Sequence, residues 1–357
     1  MPEPAPVPVV ILGGTGYVAG ELLRLLAGHP RLRIAAVVST SQAGASVTAC
    51  FPHLAGVLPA ELRFEAADAV ASHTPRGGLV AIFAATPHGT TAALLDSVLA
   101  AAEAAGAEAH AVDLSADFRF ADPERFARIY GQAHGAPERA GAFLCAVPEH
   151  HQGRPPGHAA QPGCFTTAVL LAAYPLYALG LASGGVFVSA VTGSSGSGRT
   201  PGAGTHHPER SGNLYAYSPL AHRHEAEMRQ LLAPACGGVE PEVEFVPHSG
   251  PFVRGIHATL RLQLVEPMPA AALAAAVAEF YRGAPFVRVT TAPPRLNEVV
   301  GTNACRLGVA ARSRTAVVTS VIDNLVKGAA GGGVQWMNRL LGLEEDAGLR
   351  LAGIGWH

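Results

Sequence analysis

Val9-Val10-Ile11-Leu12 runs into Gly13-Gly14-Thr15-Gly16-Tyr17-Val18-Ala19-Gly20, and then into Glu21-Leu22-Leu23-Arg24-Leu25-Leu26. A buried-strand pattern, a glycine turn and an apolar helix in that order form the context of a dinucleotide fingerprint. Gly13 allows the tight turn, Gly16 lets a pyrophosphate approach the backbone, and the helix N-terminus favours its negative charge. Thr15 and Tyr17 share that turn and are candidate cofactor contacts with the two glycines. The glycine spacing departs from the commoner G-x-G-x-x-G, so a turn that merely closes a βα unit is the competing reading.

Outward from this turn, Ile34-Ala35-Ala36-Val37-Val38 is the next strand, and it ends in Ser39-Thr40-Ser41-Gln42. An NAD-preferring fold usually carries an acid there to hold the ribose 2′-hydroxyl. Ser39, Thr40 and Ser41 offer hydroxyl donors to a 2′-phosphate instead, which points to NADP. Leu79 to Ala85 is a further strand pattern, followed by Thr86-Pro87-His88-Gly89 and an alanine-rich helix; Pro87 stands where such strands meet their ligands. Ala111-Val112-Asp113-Leu114 leads into Ser115-Ala116-Asp117-Phe118-Arg119, read either as part of a site or as a salt-bridged surface turn.

Gln161-Pro162-Gly163-Cys164-Phe165-Thr166-Thr167 opens an apolar, alanine-rich helix. Cys164 then sits among unpaired backbone N–H groups at a positive helix end, where a thiolate is stabilised and sulfur becomes a usable nucleophile. Most free cysteines are instead small buried hydrophobes.

Beyond this helix the periodicity changes. Val186 to Thr192 alternates like a strand with one buried face, and runs into Gly193-Ser194-Ser195-Gly196-Ser197-Gly198-Arg199, a flexible segment or a plain linker. The stretch from Tyr215 to Met228 is helical in character from about Pro219 and carries His222, His224 and Glu227. Glu227, three residues after His224, shares its face and can orient its ring, while His222 points elsewhere on the helix. The adjacent His206 and His207 lack the spacing of a metal site, and no metal is expected. Val243–Pro247, Ile256–Leu262, Val287–Val289 and Arg306–Val309 look like strands, with one long helix near Ala270 to Arg282. Strands in succession predict a largely antiparallel sheet. Arg254, between Phe252 and Gly255, faces an anionic substrate or forms a structural turn. A last strand, Ala316 to Ile322, precedes Asp323-Asn324 and a glycine-rich segment into a closing helix.

The fold class expected is α/β: a Rossmann-like, doubly wound parallel dinucleotide-binding domain (1–163 and 327–357) plus an α+β, largely antiparallel catalytic and dimerisation domain (164–326). The 357 residues exceed one ordinary core. Nearly half are hydrophobic and the formal net charge is −2, which gives no electrostatic case for nucleic acid or a membrane surface. Five scattered cysteines without a C-x-x-C pair argue against a disulfide framework and fit a reducing cytosol. The lead-in Met1 to Pro8 has no basic start or long apolar core, so a cytoplasmic protein without a signal peptide is expected.

These pieces together resemble the N-acetyl-γ-glutamyl-phosphate reductase family, mechanistic relatives of aspartate-semialdehyde and glyceraldehyde-phosphate dehydrogenases. The resemblance runs from Gly13-Gly14-Thr15-Gly16-Tyr17 to Asp323-Asn324-Leu325-Val326-Lys327-Gly328. It is most specific at Pro162-Gly163-Cys164-Phe165 and His222-Arg223-His224-Glu225-Ala226-Glu227. Gln161, Thr166 and Ala226 depart from the family pattern, and Thr205 to Gly212 is similar to a sister branch that reduces a carrier-linked aminoadipyl phosphate. The resemblance implies an NADPH-dependent reduction of a small acyl phosphate through a Cys164 thioester, with His222 or His224 as general acid/base and Glu227 orienting or binding substrate. It implies that Asn324 holds the nicotinamide amide, that Gly196 lies near the cofactor, and that Ser115, Arg119, Arg199 and Arg254 face substrate phosphate or carboxylate. Relatives assemble as homodimers or homotetramers. A Cys–His thiol hydrolase would leave the glycine turn without a role, and a non-catalytic NADP sensor would leave the thiol without one.

Overall fold

The computed structural model describes residues 5–67 and 72–356; the first four residues of the proline-rich lead-in lie outside them. The chain divides into two compact units, one running to Gln161 and including Ala330–Arg350, the other Pro162–Ala329 with the tail from Leu351. The first join thus falls two residues before the 163/164 boundary read from the sequence, and the tail parts from the 327–357 assignment. The reason is local: Gly353 lies so close to Glu298 that a Cβ would stand 2.6 Å from its carbonyl oxygen.

The first unit alternates strand and helix: β1 (Val7–Leu12), α1 (Tyr17–Leu26), β2 (Leu32–Val38), the single turn α2 (Val47–Cys50), β3 (Phe64–Glu65), β4 (Leu79–Ala84), α3 (Thr91–Ala104), β5 (Glu108–Asp113), α4 (Pro123–Tyr130), β6 (Phe143–Cys145) and β7 (His158–Ala160). The strands form one parallel sheet in the order β3-β2-β1-β4-β5-β7-β6. Val9, Val10, Ile11 and Leu12 are all fully buried, as expected of a strand covered on both faces. Strand order reverses at β1, whose neighbours are β2 and β4, so the ends of β1 and β4 mark the switch point where such sheets bind ligands. Gly13 explains the first link between sequence and site. Its φ is +83°, and a Cβ there would lie 2.6 Å from the Thr86 nitrogen and 2.7 Å from the Ala85 carbonyl carbon. The turn after β1 passes under the loop after β4 only without a side chain.

The second unit is built on α5 (Cys164–Ala178), apolar almost all round and buried from Phe165 to Ala173. Pro175 in its last turns has no N–H to give to the Leu171 carbonyl, and the Tyr281 hydroxyl donates to that oxygen instead at 2.8 Å. Around it lie β8 (Ala182–Thr192), α6 (His207–Arg210), β9 (Tyr215–Ala216), α7 (His224–Leu232), β10 (Val243–Ser249), β11 (Ile256–Leu264), α8 (Ala270–Phe280), β12 (Val287–Thr290), β13 (Cys305–Arg312) and β14 (Thr315–Ile322). The sheet order is β12-β13-β14-β11-β8-β10-β9, antiparallel except at β8–β10 and β12–β13. A π-helical turn, Val326–Ala330, then leads into α9 (Gly331–Leu340), which packs on β5 and β7 of the first unit. No helix among the described residues is long and apolar enough to cross a membrane.

The helix expected from about Pro219 begins instead at His224, with Arg223 as its N-cap. The Tyr217 nitrogen donates to the Pro247 carbonyl at 3.0 Å and the Leu220 nitrogen to that of Phe245 at 2.9 Å. Ser218 and Leu220 take φ values of +45° and +56°, which no helix tolerates. His222 therefore precedes the helix rather than lying on another of its faces.

Gly13→Ala combines a forced positive φ with a backbone clash, so we expect a loss of about 2–4 kcal/mol. A urea midpoint within error of wild type would contradict the close approach at Thr86.

Candidate active site

The candidate site residues fall into two constellations, one in each unit. In the first, Gly16 is the N-cap of α1 with no side-chain cap, and the first turn of the helix holds no acid. A Cβ on Gly16 would meet nothing within 4 Å, although Gly13 and Gly14 are hemmed in. Open space in front of unpaired helix N–H groups fits the pyrophosphate of a dinucleotide, so the residues present suit that cofactor. Thr15 is half-buried and Tyr17, the first residue of α1, is exposed. Ser39 is buried at the end of β2, its hydroxyl 3.5 Å from that of Ser41, while Thr40, Ser41 and Pro87 are exposed. Glu65 of the neighbouring β3 also stands beside that strand end, which the sequence did not reveal; its carboxylate is engaged by His73 at 2.8 Å.

The polar cluster after β5 is neither a surface turn nor an open site. Asp117 accepts from the Gly89 nitrogen at 2.7 Å and the Ala92 nitrogen at 3.0 Å, which anchors the loop that carries Pro87 at the start of α3. Asp113 accepts from the Ser115 and Phe118 nitrogens at 2.7 and 3.0 Å. Burial pushes its carboxyl up to about 6, against the Ser115 hydrogen bond that favours the anion. Ser115 is buried and its hydroxyl also accepts from the Asp117 nitrogen at 3.1 Å, so the fold engages it. Arg119 is buried with Nε donating to the Gln161 carbonyl at 3.0 Å.

In the second unit Cys164 is half-buried and is the first residue of α5, after the N-cap Gly163. The His224 ring lies over Gly163: a Cβ at that position would overlap it. On the other side, a Cβ on Gly328 would stand 2.7 Å from Cβ of Cys164. The thiol is thus flanked by two glycines, each admitting a neighbour that a side chain would exclude. Glu227, expected to orient the His224 ring or to bind substrate, has partners beyond its own helix. Its carboxylate reaches back to α5, accepting from the Gly163 nitrogen at 2.9 Å and the Thr166 hydroxyl at 3.0 Å, fully buried. His222 and His224 rings lie 4.6 Å apart, and Phe165 touches both edge-on at 5.9 and 6.1 Å. The His222 Nδ1 accepts from the His224 backbone nitrogen at 3.2 Å, which puts the proton of the neutral ring on Nε2. Tyr217, which the sequence reading passed over, packs against His222 at 5.7 Å. Its hydroxyl is pushed well above the usual range, first by burial and then by the negative charge of Cys164.

The other candidates divide. Gly196 is exposed, 3.8 Å from the Asn324 nitrogen measured from an added Cβ. Asn324 is buried, its oxygen accepting from the Gly255 nitrogen at 2.7 Å and its nitrogen donating to the Ser195 hydroxyl at 3.1 Å. Among the described residues, the other amide hydrogen of Asn324 has no acceptor. Arg254, expected at substrate, has its Nε and Nη2 paired with the two oxygens of buried Asp323 at 3.1 and 3.2 Å, so that edge of it belongs to the fold. Arg199 is exposed. His206 and His207 bracket the start of α6, and no group of three or more metal-ligating side chains occurs among the described residues.

Burial pushes His222 down to about 4, helped by the Arg223 cation and opposed by Glu227. The folded value lies below the unfolded 6.5, so the unfolded chain takes the proton first. The stability that the neutral ring contributes is present above pH 6.5 and lost as pH falls toward 4. The urea midpoint of wild type should therefore fall over that window more steeply than that of His222→Asn. Parallel curves for the two proteins would refute the assignment.

The comparisons agree with this architecture. Residues 8–155 match the family model described as "Semialdehyde dehydrogenase, NAD binding domain", and residues 164–324 match "Semialdehyde dehydrogenase, dimerisation domain". Among solved structures, an aspartate semialdehyde dehydrogenase II of Vibrio cholerae complexed with ASA superposes with a TM-score of 0.68 at 15% identity, covering 95% of this chain and 99% of that one. An aspartate semialdehyde dehydrogenase with NADP from Candida albicans gives 0.63 at 15%, covering 95% and 99%. At these identities the likeness speaks for the fold. Curated relatives are much nearer in sequence. The N-acetyl-γ-glutamyl-phosphate reductase of Ectopseudomonas mendocina is 41% identical over 98% of this chain and 99% of its own. That of Acidithiobacillus ferrooxidans is 41% identical over 95% and 96%. With two domain models across most of its length and relatives of that identity end to end, the chain belongs to the N-acetyl-γ-glutamyl-phosphate reductase family of semialdehyde dehydrogenases.

Proposed function

We propose that this chain reduces N-acetyl-γ-glutamyl phosphate to N-acetylglutamate semialdehyde with NADPH, through a thioester on Cys164. One observation carries the reading: a half-buried thiol opens α5, and the His224 imidazole lies on the glycine beside it. The sulfur attacks the acyl carbon, an S–C bond forms, the C–O bond to phosphorus breaks and phosphate leaves. His224 takes the thiol proton during this attack. When bound, NADPH supplies the hydride that reduces the thioester carbon. Protonated His224 donates to the oxygen that becomes charged in that step and takes the proton back as the C–S bond breaks and the aldehyde forms. His222 is set apart from this role because its Nδ1 accepts from the His224 backbone and burial keeps the ring neutral.

Glu227 is a positioning residue, since its carboxylate holds the backbone of Gly163 and the hydroxyl of Thr166 at the helix mouth. The free hydrogen of the Asn324 amide is directed to the nicotinamide amide, and the exposed Arg199 to the substrate phosphate. The hydroxyl groups at the end of β2 support NADP over NAD, as does the pairing of Glu65 with His73. A free small-molecule substrate accords with the near-neutral net charge, which gives no overall attraction to an acidic carrier. The match to a dimerisation domain supports a homo-oligomer, and cysteines without a disulfide among the described residues accord with a reducing cytosol.

The deciding assay is phosphate-dependent NADP reduction with N-acetylglutamate semialdehyde, run beside the aminoadipate analogue. Cys164→Ala should abolish turnover with NADPH binding retained, and Cys164→Ser should lose most of it because a hydroxyl is the weaker nucleophile. Aldehyde formation by the alanine variant would remove the thioester route. His224→Asn should lower kcat about 10²–10⁴-fold, with a clearly smaller loss for His222→Asn; the opposite ranking would exchange their roles.

A further inference from the structure

We propose that Arg210 receives an oxyanion of the substrate, carboxylate or phosphoryl, on the Nε–Nη2 edge of its guanidinium. The proposal rests on reading the chain as an acyl-phosphate reductase. Arg210 ends α6 and is only 7% exposed. Its Nη1 donates to the Asn213 carbonyl at 3.3 Å. Nε and Nη2 are shut off from solvent and hydrogen-bond to nothing among the described residues.

A guanidinium cannot shed its proton at any ordinary pH, so the charge stays. Burying it with three of its five N–H donors, those of Nε and Nη2, unused is strongly unfavourable unless an anion completes it. Nε–H and the nearer Nη2–H lie on one edge of the planar group, spaced for two oxygens of a single carboxylate or phosphoryl group. The same unit shows this edge occupied: Arg254 donates from Nε and Nη2 to the two oxygens of Asp323 at 3.1 and 3.2 Å. Arg210 presents the same fork without its acid. Glu209, the nearest carboxylate in sequence, is exposed.

The placement suits a substrate contact. The segment from Ala203 to Tyr217 follows the Gly193–Gly198 turn in the chain and ends at the ring that packs on His222. It is thinly held, by a four-residue α6 and a β9 that pairs with β10 through two residues at the sheet edge. Such a segment opens locally at low cost, which gives an oxyanion its way to the closed fork. Desolvation then strengthens the pair.

The test compares the full-length wild type with Arg210→Met and Arg210→Lys. Thermal unfolding is followed with N-acetyl-L-glutamate, which has carboxylates and no phosphoryl group, and with inorganic phosphate, each against sodium chloride of equal ionic strength. Arg210→Met should melt at or above the ligand-free wild type and lose the ligand-induced rise. Its KM in the semialdehyde assay should increase roughly tenfold to a hundredfold, with kcat within about threefold, and Arg210→Lys should fall between. Loss of the rise for N-acetyl-L-glutamate alone assigns the fork to a carboxylate, and loss for phosphate alone assigns it to the phosphoryl group. An unchanged KM with the rise intact overturns the proposal. So does a sharp fall in the melting temperature of ligand-free Arg210→Met, or a changed oligomeric state on sedimentation, because each places the anion within the protein assembly. If wild type turns over no acyl phosphate while the rise still depends on Arg210, the reductase reading fails and the oxyanion site stands.

Discussion

The thiol centre of the second unit depends on one carboxylate that never meets water. Asp323 is fully buried, and both its oxygens are occupied. Oδ1 accepts from the Leu325 and Val326 nitrogens and from Nη2 of Arg254, at 2.8, 3.0 and 3.2 Å. Oδ2 accepts from the Gly301 nitrogen and from Nε of Arg254, at 2.7 and 3.1 Å. An ion buried alone would be prohibitively unfavourable, whereas one carrying several charge-assisted hydrogen bonds fixes the segments that donate them. Here those segments are the loop before β11, the loop before β13 and the turn after β14. The last of these becomes the π-helical turn Val326–Ala330, which presses Gly328 against Cys164. The adjoining Asn324 ties the same turn to Gly255 and Ser195.

This hub separates what was legible in the sequence from what was not. The βα unit was readable because its requirements are local: four consecutive apolar residues demand a strand buried on both faces, and Gly13 is needed where the chain turns. The start of α5 was readable for a similar reason, since an apolar, alanine-rich run directly after Pro-Gly is a local helix pattern. The arginines were not. Arg254 looks like a ligand-facing cation beside a glycine, and only Asp323, 69 residues away, engages it. Arg210 drew no role from the sequence, and only three dimensions reveal that it is enclosed. The Asp113–Arg119 cluster likewise gave its position but not its task, because the partner of Asp117 is a loop 28 residues earlier.

The false helix start at Pro219 has a cause of the same kind. Propensity alone does not forbid a helix through Leu220-Ala221-His222, and Pro219 at a first turn even favours one. The backbone is claimed instead by β10, through bonds to the carbonyls of Pro247 and Phe245. Tertiary pairing overrode local preference at the point where two histidines must be brought together. The positive φ angles of Ser218 and Leu220 are strain held in place by that pairing.

Under the proposed thioester route, that displacement bears on which group would take the proton from sulfur. A helix mouth favours an anion by up to about 2 kcal/mol in partly buried geometries. At this mouth, however, Glu227 already occupies the Gly163 nitrogen with a buried negative charge, and a like charge opposes the one that sulfur would acquire. The two influences act on the sulfur in opposite senses. Attack then requires an acceptor within reach at the moment the proton leaves. His222 is unsuited, because its Nδ1 is engaged by the backbone of residue 224 and its Nε2 carries the proton of a neutral ring. What His222 does is hold the first residue of α7, and with it the neighbouring imidazole, over a position that only glycine leaves open. In that proposed route the absence of a side chain at Gly163 is therefore as much a requirement as the thiol that follows it.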